Sequence, residues 1–258
     1  MQEYALITGA SKGIGRSFAR QLAAKKYNLL LVARAEQELQ RLAEELHNAH
    51  GVDVRYLTID LSQSGAAATV TNWCAEQTSS LSILINNAGY GVWGLFQDLA
   101  LKDQLSMLQV NINAVVELTH LLLPQLQQQK QAYILNVAST AAYQAVPTLA
   151  LYAASKTFVL SFSRALAYEL KDSPVSVTCL SPGPTATNFA SRAGMDALAE
   201  LAEKFNMQPD DVARTGLNAM FKRKPEIVPG VLNKLSAFGA RHLPKKLIEA
   251  ISAGLYKH

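Results

Sequence analysis

The chain has 258 residues, of which 49% are hydrophobic and 17% charged. This length and composition suit a single α/β domain, residues 1–258, with a sizeable core. No apolar run is long enough to cross a bilayer and the first residues lack the pattern of a secretory leader, so we expect a cytoplasmic protein. The only cysteines, Cys74 and Cys179, have no cluster of ligand residues around them, so no disulfide framework and no metal site are expected.

The formal net charge is +4 and is unevenly distributed. From Arg214 to the end there are nine Lys or Arg and two Glu, a balance of +7, which leaves −3 for the rest of the chain. A basic tail is compatible with contact at an anionic membrane surface or with an acidic substrate, but a solvated face that keeps the protein soluble is the simpler interpretation. No aromatic platform accompanies the charge, which disfavours nucleic acid as a partner.

Short apolar runs rich in β-forming residues alternate along the chain with longer stretches of helical periodicity. The runs are continuously apolar, as strands buried on both faces of a parallel sheet require. This alternation predicts an α/β fold, a doubly wound parallel sheet between two layers of helices. The predicted strands are 4–8, 28–33, 54–59, 82–86, 132–138 and 175–180, and the predicted helices begin near residues 13, 35, 63, 102 and 148.

The chain after residue 190 departs from strict alternation. We predict helices at about 191–205 and 209–222, and a last edge strand at 226–229, where prolines argue against a central position. We therefore divide the domain into a cofactor and catalytic core, residues 1–190, and a region of substrate-covering helices with a basic tail, residues 191–258.

The first predicted strand runs directly into a glycine-rich turn that ends at Gly15, and a helix follows. Glycines let the backbone turn tightly and approach a pyrophosphate, and the helix N-terminus supplies free N–H groups. The spacing is G-x3-G-x-G rather than G-x-G-x-x-G, so the glycines alone are equally typical of an ordinary strand-to-helix turn. The position after the first strand of a βαβ unit favours a dinucleotide site.

The end of the second predicted strand bears on the choice of dinucleotide. An NAD site usually has a carboxylate here to hold the ribose 2′-hydroxyl. This chain has Ala33 followed by Arg34, and the fold would bring Lys12 of the glycine turn close to the same point. Two cations and no acid favour a 2′-phosphate, and hence NADP(H). The alternative is that Arg34 is a surface residue that opens the next helix.

A tyrosine and a lysine, Tyr152 and Lys156, are spaced by four residues in a predicted helix and therefore share one face. A free tyrosine has a pKa near 10, and a nearby ammonium lowers that pKa by stabilising the phenolate. Such a pair can move a proton to or from a carbonyl oxygen while hydride moves at carbon. The same spacing occurs by chance in many helices, so the pair gains weight only from its surroundings.

Several motifs occur together in a consistent order along the chain. They are Thr8-Gly9-x3-Gly13-Ile14-Gly15, Asn86-Asn87-Ala88-Gly89, Asn111, Ser139, Tyr152-x3-Lys156 and Pro182-Gly183. In this combination the chain resembles the short-chain dehydrogenase/reductase family, in its compact single-domain type, over roughly the first 190 residues. The resemblance implies a Rossmann-like fold with strand order 3-2-1-4-5-6-7 and an NADP-dependent oxidoreductase that interconverts a carbonyl and an alcohol.

The resemblance also implies four catalytic residues, namely Tyr152, Lys156, Ser139 and Asn111. Ser139 follows a predicted strand at the carboxyl edge, where such sheets bind ligands, and its hydroxyl could hold the substrate oxygen. In the family, the lysine also holds the nicotinamide ribose, and the asparagine holds a water that links the lysine to solvent. Asn113 is a rival on sequence alone, but its position in the stretch 110–114 favours Asn111.

The cofactor contacts implied by the resemblance run from the glycine turn to the nicotinamide pocket. The side chain and backbone of Asn86 and its neighbours would pack against the adenosine ribose. Asp60, at the end of the third strand, would hold the adenine amino group, or it could be the N-cap of the next helix. The full set of cofactor residues is Gly9, Ser11, Lys12, Gly13, Ile14, Gly15, Arg34, Asp60, Leu61, Asn87, Ala88, Gly89, Tyr152, Lys156, Pro182, Gly183, Thr185 and Thr187.

The substrate pocket is expected to have a mostly aromatic lining, which suits a fairly apolar ketone, aldehyde or 3-oxoacyl substrate. The helical tail, 231–256, would cap this pocket, bind another subunit or lie on a membrane. The candidates for the lining are Tyr90, Trp93, Tyr143, Gln144 and Phe189.

In the family, helices equivalent to 102–129 and 148–172 form a dimer interface, so the resemblance implies a homodimer or homotetramer. Two alternatives to a carbonyl reductase are a nucleotide-sensing protein of the same fold without turnover, and a sugar epimerase or dehydratase. The complete set of motif residues disfavours a nucleotide-sensing protein without turnover. The chain is short for the separate sugar-binding domain that an epimerase or dehydratase usually carries.

Overall fold

The computed structural model describes residues 3–187, 206–244 and 248–249. Seven parallel strands form one sheet in the order β3-β2-β1-β4-β5-β6-β7, which confirms the order implied by the resemblance. The strands are β1 (Tyr4–Thr8), β2 (Asn28–Ala33), β3 (Val54–Thr58), β4 (Leu81–Asn86), β5 (Ala132–Val137), β6 (Val175–Leu180) and β7 (Glu226–Ile227).

Helices cover both faces of this sheet. They are α1 (Gly13–Ala24), α2 (Glu36–His50), α3 (Ala66–Gln77), α4 (Leu101–Leu108), α5 (Ala114–Gln127), α6 (Ala150–Glu169), α7 (Pro209–Phe221) and α8 (Val231–His242). Among the residues described, no helix combines the length and the apolar character that crossing a bilayer requires.

Two hydrophobic layers lie on opposite faces of the sheet because side chains alternate along each strand. Ala5 and Ile7 of β1 face a layer built with α1, α2 and α7. Leu6, between them, faces the other layer, which is built with α3, α5 and the end of α6. Strands β4 and β5 are buried along their whole length, as the continuous apolar runs predicted.

The prediction of one long helix from 102 to 129 is wrong in one respect. A π-helical turn, Gln109–Asn113, separates α4 from α5. A π turn accommodates an extra residue and shifts the side chains that follow relative to those before it. Hydrophobic periodicity does not reveal such a local insertion, because the apolar face resumes on either side.

The segment between β3 and α3 also differs from the sequence prediction. β3 ends at Thr58, so Asp60 lies beyond it rather than at its end. The helix begins at Ala66 with Gly65 as its N-cap, which rules out Asp60 as the cap. Instead, Asp60 Oδ1 accepts a hydrogen bond of 2.9 Å from the Ser62 N–H and holds a local turn.

Helices α7 and α8 begin where they were expected, and Pro209 occupies the first turn of α7. The edge strand is shorter than predicted and consists of Glu226–Ile227. The predicted helix at 191–205 lies outside the described residues.

Candidate active site

The loops that follow β1 and β4 are joined at the carboxyl edge of the sheet. Thr8 Oγ1 accepts hydrogen bonds of 3.0 Å from the backbone N–H groups of both Asn87 and Ala88. The Asn87 amide donates to Thr8 O at 2.9 Å and to Gly9 O at 3.2 Å. Two of the sequence motifs, more than 70 residues apart, therefore form one unit at the point where parallel sheets bind ligands.

The glycine turn is packed so closely that side chains would not fit. Gly9 and Gly13 have φ angles of +66° and +53°, in the left-handed region that favours glycine. A β-carbon on Gly15 would lie 2.5 Å from the Asn87 Nδ2 atom. A β-carbon on Gly13 would lie 2.8 Å from Thr187 Cγ2, so the loop after β6 reaches the glycine turn.

The N-terminus of α1 opens directly from this turn. Its N-cap residue, Lys12, makes no side-chain capping hydrogen bond, and the first turn contains no acidic residue. Free N–H groups and the positive end of the helix dipole there suit a phosphate group. The neighbouring Ser11 is half-buried in the turn, and Ile14 packs against the core beneath α1.

The two predicted 2′-phosphate cations each lie beside a carboxylate. Arg34 Nη1 is 3.8 Å from Asp60 Oδ2, and Lys12 Nζ is 3.4 Å from Glu38 Oε1. About half of each cationic side chain is exposed, and exposed ion pairs of this kind contribute little to stability. Glu38, in the first turn of α2 and four residues after Arg34, was not among the sequence candidates. Leu61, beside Asp60, is buried in the core.

Tyr152 and Lys156 lie one turn apart on α6, and both are buried, with 8% and 5% of their surfaces exposed. The Lys156 ammonium donates a 2.9 Å hydrogen bond to Val137 O at the end of β5 and lies 5.8 Å from the centre of the Tyr152 ring. Burial lowers the pKa of Lys156 to about 8. The charged form is therefore maintained at neutral pH at a cost in free energy.

Asn111 is fully buried in the π turn and joins α6 to the loop after β4. Its amide donates to Tyr90 O at 2.9 Å and to Ser155 Oγ at 3.1 Å, and its Oδ1 accepts from the Tyr90 N–H at 3.1 Å. Ser155 in turn donates to Tyr152 O at 2.7 Å. Asn113 is exposed and bonds only locally, to Gln109 at 2.6 Å, so Asn111 is the asparagine that lies at this edge.

The loop after β4 passes directly over these buried groups. A β-carbon on Gly89 would lie 3.0 Å from Asn111 Oδ1 and 3.2 Å from Lys156 Nζ. The amide oxygen and the ammonium therefore converge on one backbone position beside Tyr152. Glycine is the residue that permits this close approach.

Ser139 follows β5 and caps a short 3₁₀ turn, Thr140–Tyr143. Its Oγ accepts a 3.1 Å hydrogen bond from the Ala141 N–H, which leaves the hydroxyl proton available for donation to a ligand. The next N–H, of Thr140, donates to Pro182 O at 2.8 Å and so joins the loops after β5 and β6.

The family model described as short chain dehydrogenase matches residues 3–197, about three quarters of the chain. The chain belongs to the short-chain dehydrogenase family. The match includes every motif of the glycine turn, the buried tyrosine and lysine, and the loop after β6.

Two curated relatives of this short-chain dehydrogenase are reductases by name. Sulfoacetaldehyde reductase 2 of Chromohalobacter salexigens is 35% identical over 219 residues, 83% of this chain and 86% of that protein. A very-long-chain 3-oxoacyl-CoA reductase of Laccaria bicolor is 33% identical over 176 residues, 67% of this chain and 52% of that protein. The matched region thus spans only about half the length of the second relative.

Two solved structures of relatives contain different dinucleotides, NADPH in one and NAD in the other. A short-chain dehydrogenase from Sphingobium yanoikuyae in complex with NADPH is 30% identical, has a TM-score of 0.82 and covers 93% of both chains. A short-chain dehydrogenase/reductase from Burkholderia phymatum in complex with NAD is 25% identical, has a TM-score of 0.83 and covers 96% of this chain and 95% of that chain.

The predicted substrate residues of this short-chain dehydrogenase fall into two groups. Tyr90 and Trp93 pack in the cluster that contains Tyr152. Tyr143 instead donates its hydroxyl to Glu226 Oε1 at 2.7 Å. Gln144 is half-buried at the end of the 3₁₀ turn, and Phe189 lies outside the described residues.

Sequence reasoning missed three apolar residues that pack with Tyr152, namely Met107, Val146 and Leu149. They come from α4 and from the segment before α6, and each is almost fully buried. No spacing in the sequence relates them to Tyr152, because only the packing of α4 against α6 brings them together.

Asn233 of α8 was also missed. It lies against the loop after β6, where a β-carbon on Gly183 would be 2.5 Å from Asn233 Cγ. Its amide donates to Pro229 O at 2.9 Å and reaches Met207 Sδ at 3.5 Å. Met207 forms an isolated bridge with Thr185, so α8 and the loop after β6 form one packed unit.

The expectation that Asn86 contacts the adenosine ribose with its side chain is wrong. Asn86 is buried in β4, where its amide donates to Thr119 Oγ1 at 3.0 Å and to Asn136 Oδ1 at 2.9 Å. Asn136 then donates to Ser163 Oγ at 2.9 Å. These residues form a polar network in the core beneath α5 and α6.

Proposed function

We propose that this short-chain dehydrogenase interconverts a carbonyl and an alcohol with NADP(H), using Tyr152, Lys156, Ser139 and Asn111. The observation that carries the proposal is the convergence of the Lys156 ammonium and the Asn111 amide on Gly89, beside a buried tyrosine ring 5.8 Å from that ammonium. A buried ammonium is costly to maintain, and stabilising a phenolate is a function that requires one.

Tyr152 acts as the proton donor to the carbonyl oxygen in reduction and as the acceptor from the alcohol in oxidation. The Lys156 ammonium favours the phenolate form and makes this transfer feasible near neutral pH. Ser139 donates its free hydroxyl proton to the same substrate oxygen. When bound, the nicotinamide supplies or accepts the hydride at the substrate carbon.

Asn111 acts here as a positioning residue. Both ends of its amide are engaged by Tyr90 and Ser155, so the amide fixes the π turn against α6 and against the loop after β4. This arrangement fixes the position of Lys156 relative to the loop after β4. The water that the family assigns to this asparagine is part of the same proposal, as the proton path from Lys156 to solvent.

The residues at the carboxyl edge fit a dinucleotide, because the glycine turn is closely packed and the first turn of α1 has no acidic residue. The pyrophosphate would lie on the N-terminal turn of α1, with Thr187 beside it. The nicotinamide would lie along Pro182, Gly183 and Thr185, and Lys156 would hold its ribose. Ala88 and the backbone of Leu61 would face the adenosine half, with the remaining predicted contacts at Gly9, Ser11, Gly13, Ile14, Gly15, Asp60, Asn87 and Gly89.

We propose NADP(H) rather than NAD(H) because Arg34 and Lys12 are the cations near the end of β2, and Ala33 replaces the usual acid. Their contacts with Asp60 and Glu38 are exposed and weak, so a 2′-phosphate can replace them. The Sphingobium relative in complex with NADPH supports this choice.

The substrate class follows from the apolar cluster around Tyr152. Met107, Val146, Leu149 and Trp93 favour a fairly apolar ketone, aldehyde or 3-oxoacyl group over a sugar. The relative named 3-oxoacyl-CoA reductase supports the same class.

We also propose a homodimer or homotetramer that forms through α5 and α6. Leu121 and Phe158 of these helices are exposed, at 42% and 40%. Large exposed apolar residues on both helices favour burial against another subunit. A molecular mass of one chain in solution at micromolar concentration would contradict it.

The decisive test is NADPH oxidation against a panel of apolar ketones, aldehydes and 3-oxoacyl thioesters. Tyr152→Phe should lower kcat by at least about 10²-fold and leave NADPH affinity nearly unchanged, because the phenol moves a proton but does not hold the phosphates. Tyr168→Phe, on the exposed side of the same helix, is the matched control and should keep full activity. Retained turnover in Tyr152→Phe would remove the tyrosine from its role.

The cofactor choice is tested separately with Arg34→Ala. Loss of a charge-assisted contact with the 2′-phosphate should lower kcat/KM for NADPH by about 10- to 100-fold, whereas kcat/KM for NADH should change little. Arg55→Ala removes another exposed arginine with a carboxylate neighbour and should change neither value. Equal losses with both cofactors, or a wild-type preference for NADH, would contradict the choice.

A further inference from the structure

One side of helix α8 is held against the rest of the molecule. Asn233 bonds to Pro229 O and contacts Gly183, and Ala237 is buried. Arg241 bonds to Glu226 on the edge strand and lies 4.6 Å above the Tyr143 ring. These contacts fix the orientation of the helix, so its opposite side faces away from the rest of the described molecule.

The opposite side carries large apolar residues that are exposed to solvent. Val231, Leu232, Leu235 and Phe238 are between 62% and 72% exposed, and we call them the outer face of α8. Three of them follow the i, i+4, i+7 spacing of a single helical stripe. A contiguous apolar patch of this kind on a soluble domain marks an interaction surface.

The charges of this region indicate what kind of surface the outer face meets. Arg241 is paired with Glu226 on the inner side, and the other cations between Glu226 and Glu249 in the sequence are three lysines, Lys234, Lys245 and Lys246, with no further acidic residue. Lys234 borders the apolar stripe within α8 itself. Two copies of such a face would repel each other, whereas an anionic surface attracts it.

We propose that the outer face of α8 is a docking surface for an anionic membrane. The helix lies in the interface parallel to the bilayer, with its apolar stripe among the upper acyl chains and Lys234 at the headgroups. Because Asn233 joins α8 to the loop at Gly183, docking would bring the carboxyl edge of the sheet near the lipid surface. The apolar substrate of the proposed function would be concentrated there.

The test uses the full chain and vesicles of phosphatidylcholine with or without phosphatidylglycerol, in a sedimentation assay that needs no turnover. The wild type should bind the anionic vesicles, and more weakly at high salt. The double variant Leu235→Asp/Phe238→Asp should lower the partition coefficient by at least about tenfold. Leu101→Asp, at a comparably exposed position on α4, is the matched control and should bind as the wild type does.

A neutral pair, Leu235→Gln/Phe238→Gln, distinguishes loss of apolar contact from charge repulsion and should also weaken binding. Unchanged far-ultraviolet circular dichroism would show that these surface changes preserve the fold. Absence of wild-type binding to anionic vesicles, or undiminished binding by both double variants, would overturn the proposal. A change in oligomeric state with no change in vesicle binding would assign the face to a second copy and would also overturn it. None of these outcomes depends on the proposed dehydrogenase activity.

Discussion

Replacing Lys156 with methionine tests the central electrostatic feature of the site. Lys156 is buried, and its ammonium donates a hydrogen bond to Val137 O. Methionine has a similar length and no charge, so it removes the buried ammonium with little change in volume. The variant should lose turnover but gain stability, because the wild type maintains a charge in the core that folding alone does not require.

The expected gain follows from the pKa of the lysine. Burial lowers the pKa of Lys156 to about 8 from an ordinary value near 10.4, which corresponds to about 3 kcal/mol of penalty on the charged form. The carbonyl of Val137 loses its partner in the variant, at about 1 kcal/mol. The free energy of unfolding of Lys156→Met should therefore exceed that of the wild type by about 2 kcal/mol at pH 7.

The lowered pKa of Lys156 also makes the free energy of unfolding depend on pH, in the direction opposite to that of a lysine that gains an acidic partner on folding. Between pH 8 and about 10.4 the unfolded chain holds the proton and the folded chain does not, so wild-type stability rises with pH in this window. The variant lacks this contribution, and its advantage should shrink as pH increases from 7 to 9.5. Urea unfolding without cofactor at both pH values measures the difference, with Lys171→Met, an exposed lysine beyond α6, as the control.

The reasoning fails if Lys156→Met is less stable than the wild type at pH 7. It also fails if the stability difference is the same at pH 7 and pH 9.5, because the wild-type lysine would then have an ordinary pKa. Lys171→Met should remain within about 0.5 kcal/mol of the wild type at both values.

Two further predictions concern packing around the site. Gly183→Ala should lower the free energy of unfolding by about 1–3 kcal/mol, because the added methyl group clashes with Asn233. Adding Asn233→Ala in the same chain should restore most of that loss. If thermal unfolding shows that the losses of the two single variants simply add in the double variant, the clash is not the cause. Asn136→Ala should cost about 3 kcal/mol because it removes one of the two acceptors of the buried Asn86 amide and the donor to Ser163 Oγ, whereas the exposed Asn113→Ala should cost less than about 0.5 kcal/mol. Equal urea midpoints for the two asparagine variants would refute the importance of the network.

The order of elements and the location of the candidate site were predictable from local pattern. Strands such as β1, β2 and β6 have the predicted bounds because continuous apolar runs are flanked by residues that end them. Tyr152 and Lys156 lie one helical turn apart because their spacing of four matches the period of the helix. These features depend on residues close together in the chain, so the sequence alone carried enough information.

Other features depend on residues that only the complete fold brings together. In the π turn Asn111 is the buried asparagine and Asn113 is exposed, although only one residue separates them in an otherwise uniform pattern. The contact of Asn233 with Gly183 joins positions 50 residues apart. The low pKa of Lys156 arises from burial, which is a property of all the surrounding elements together. Desolvation and long-range contact have no signature in local spacing, and for this reason the tertiary structure alone decided them.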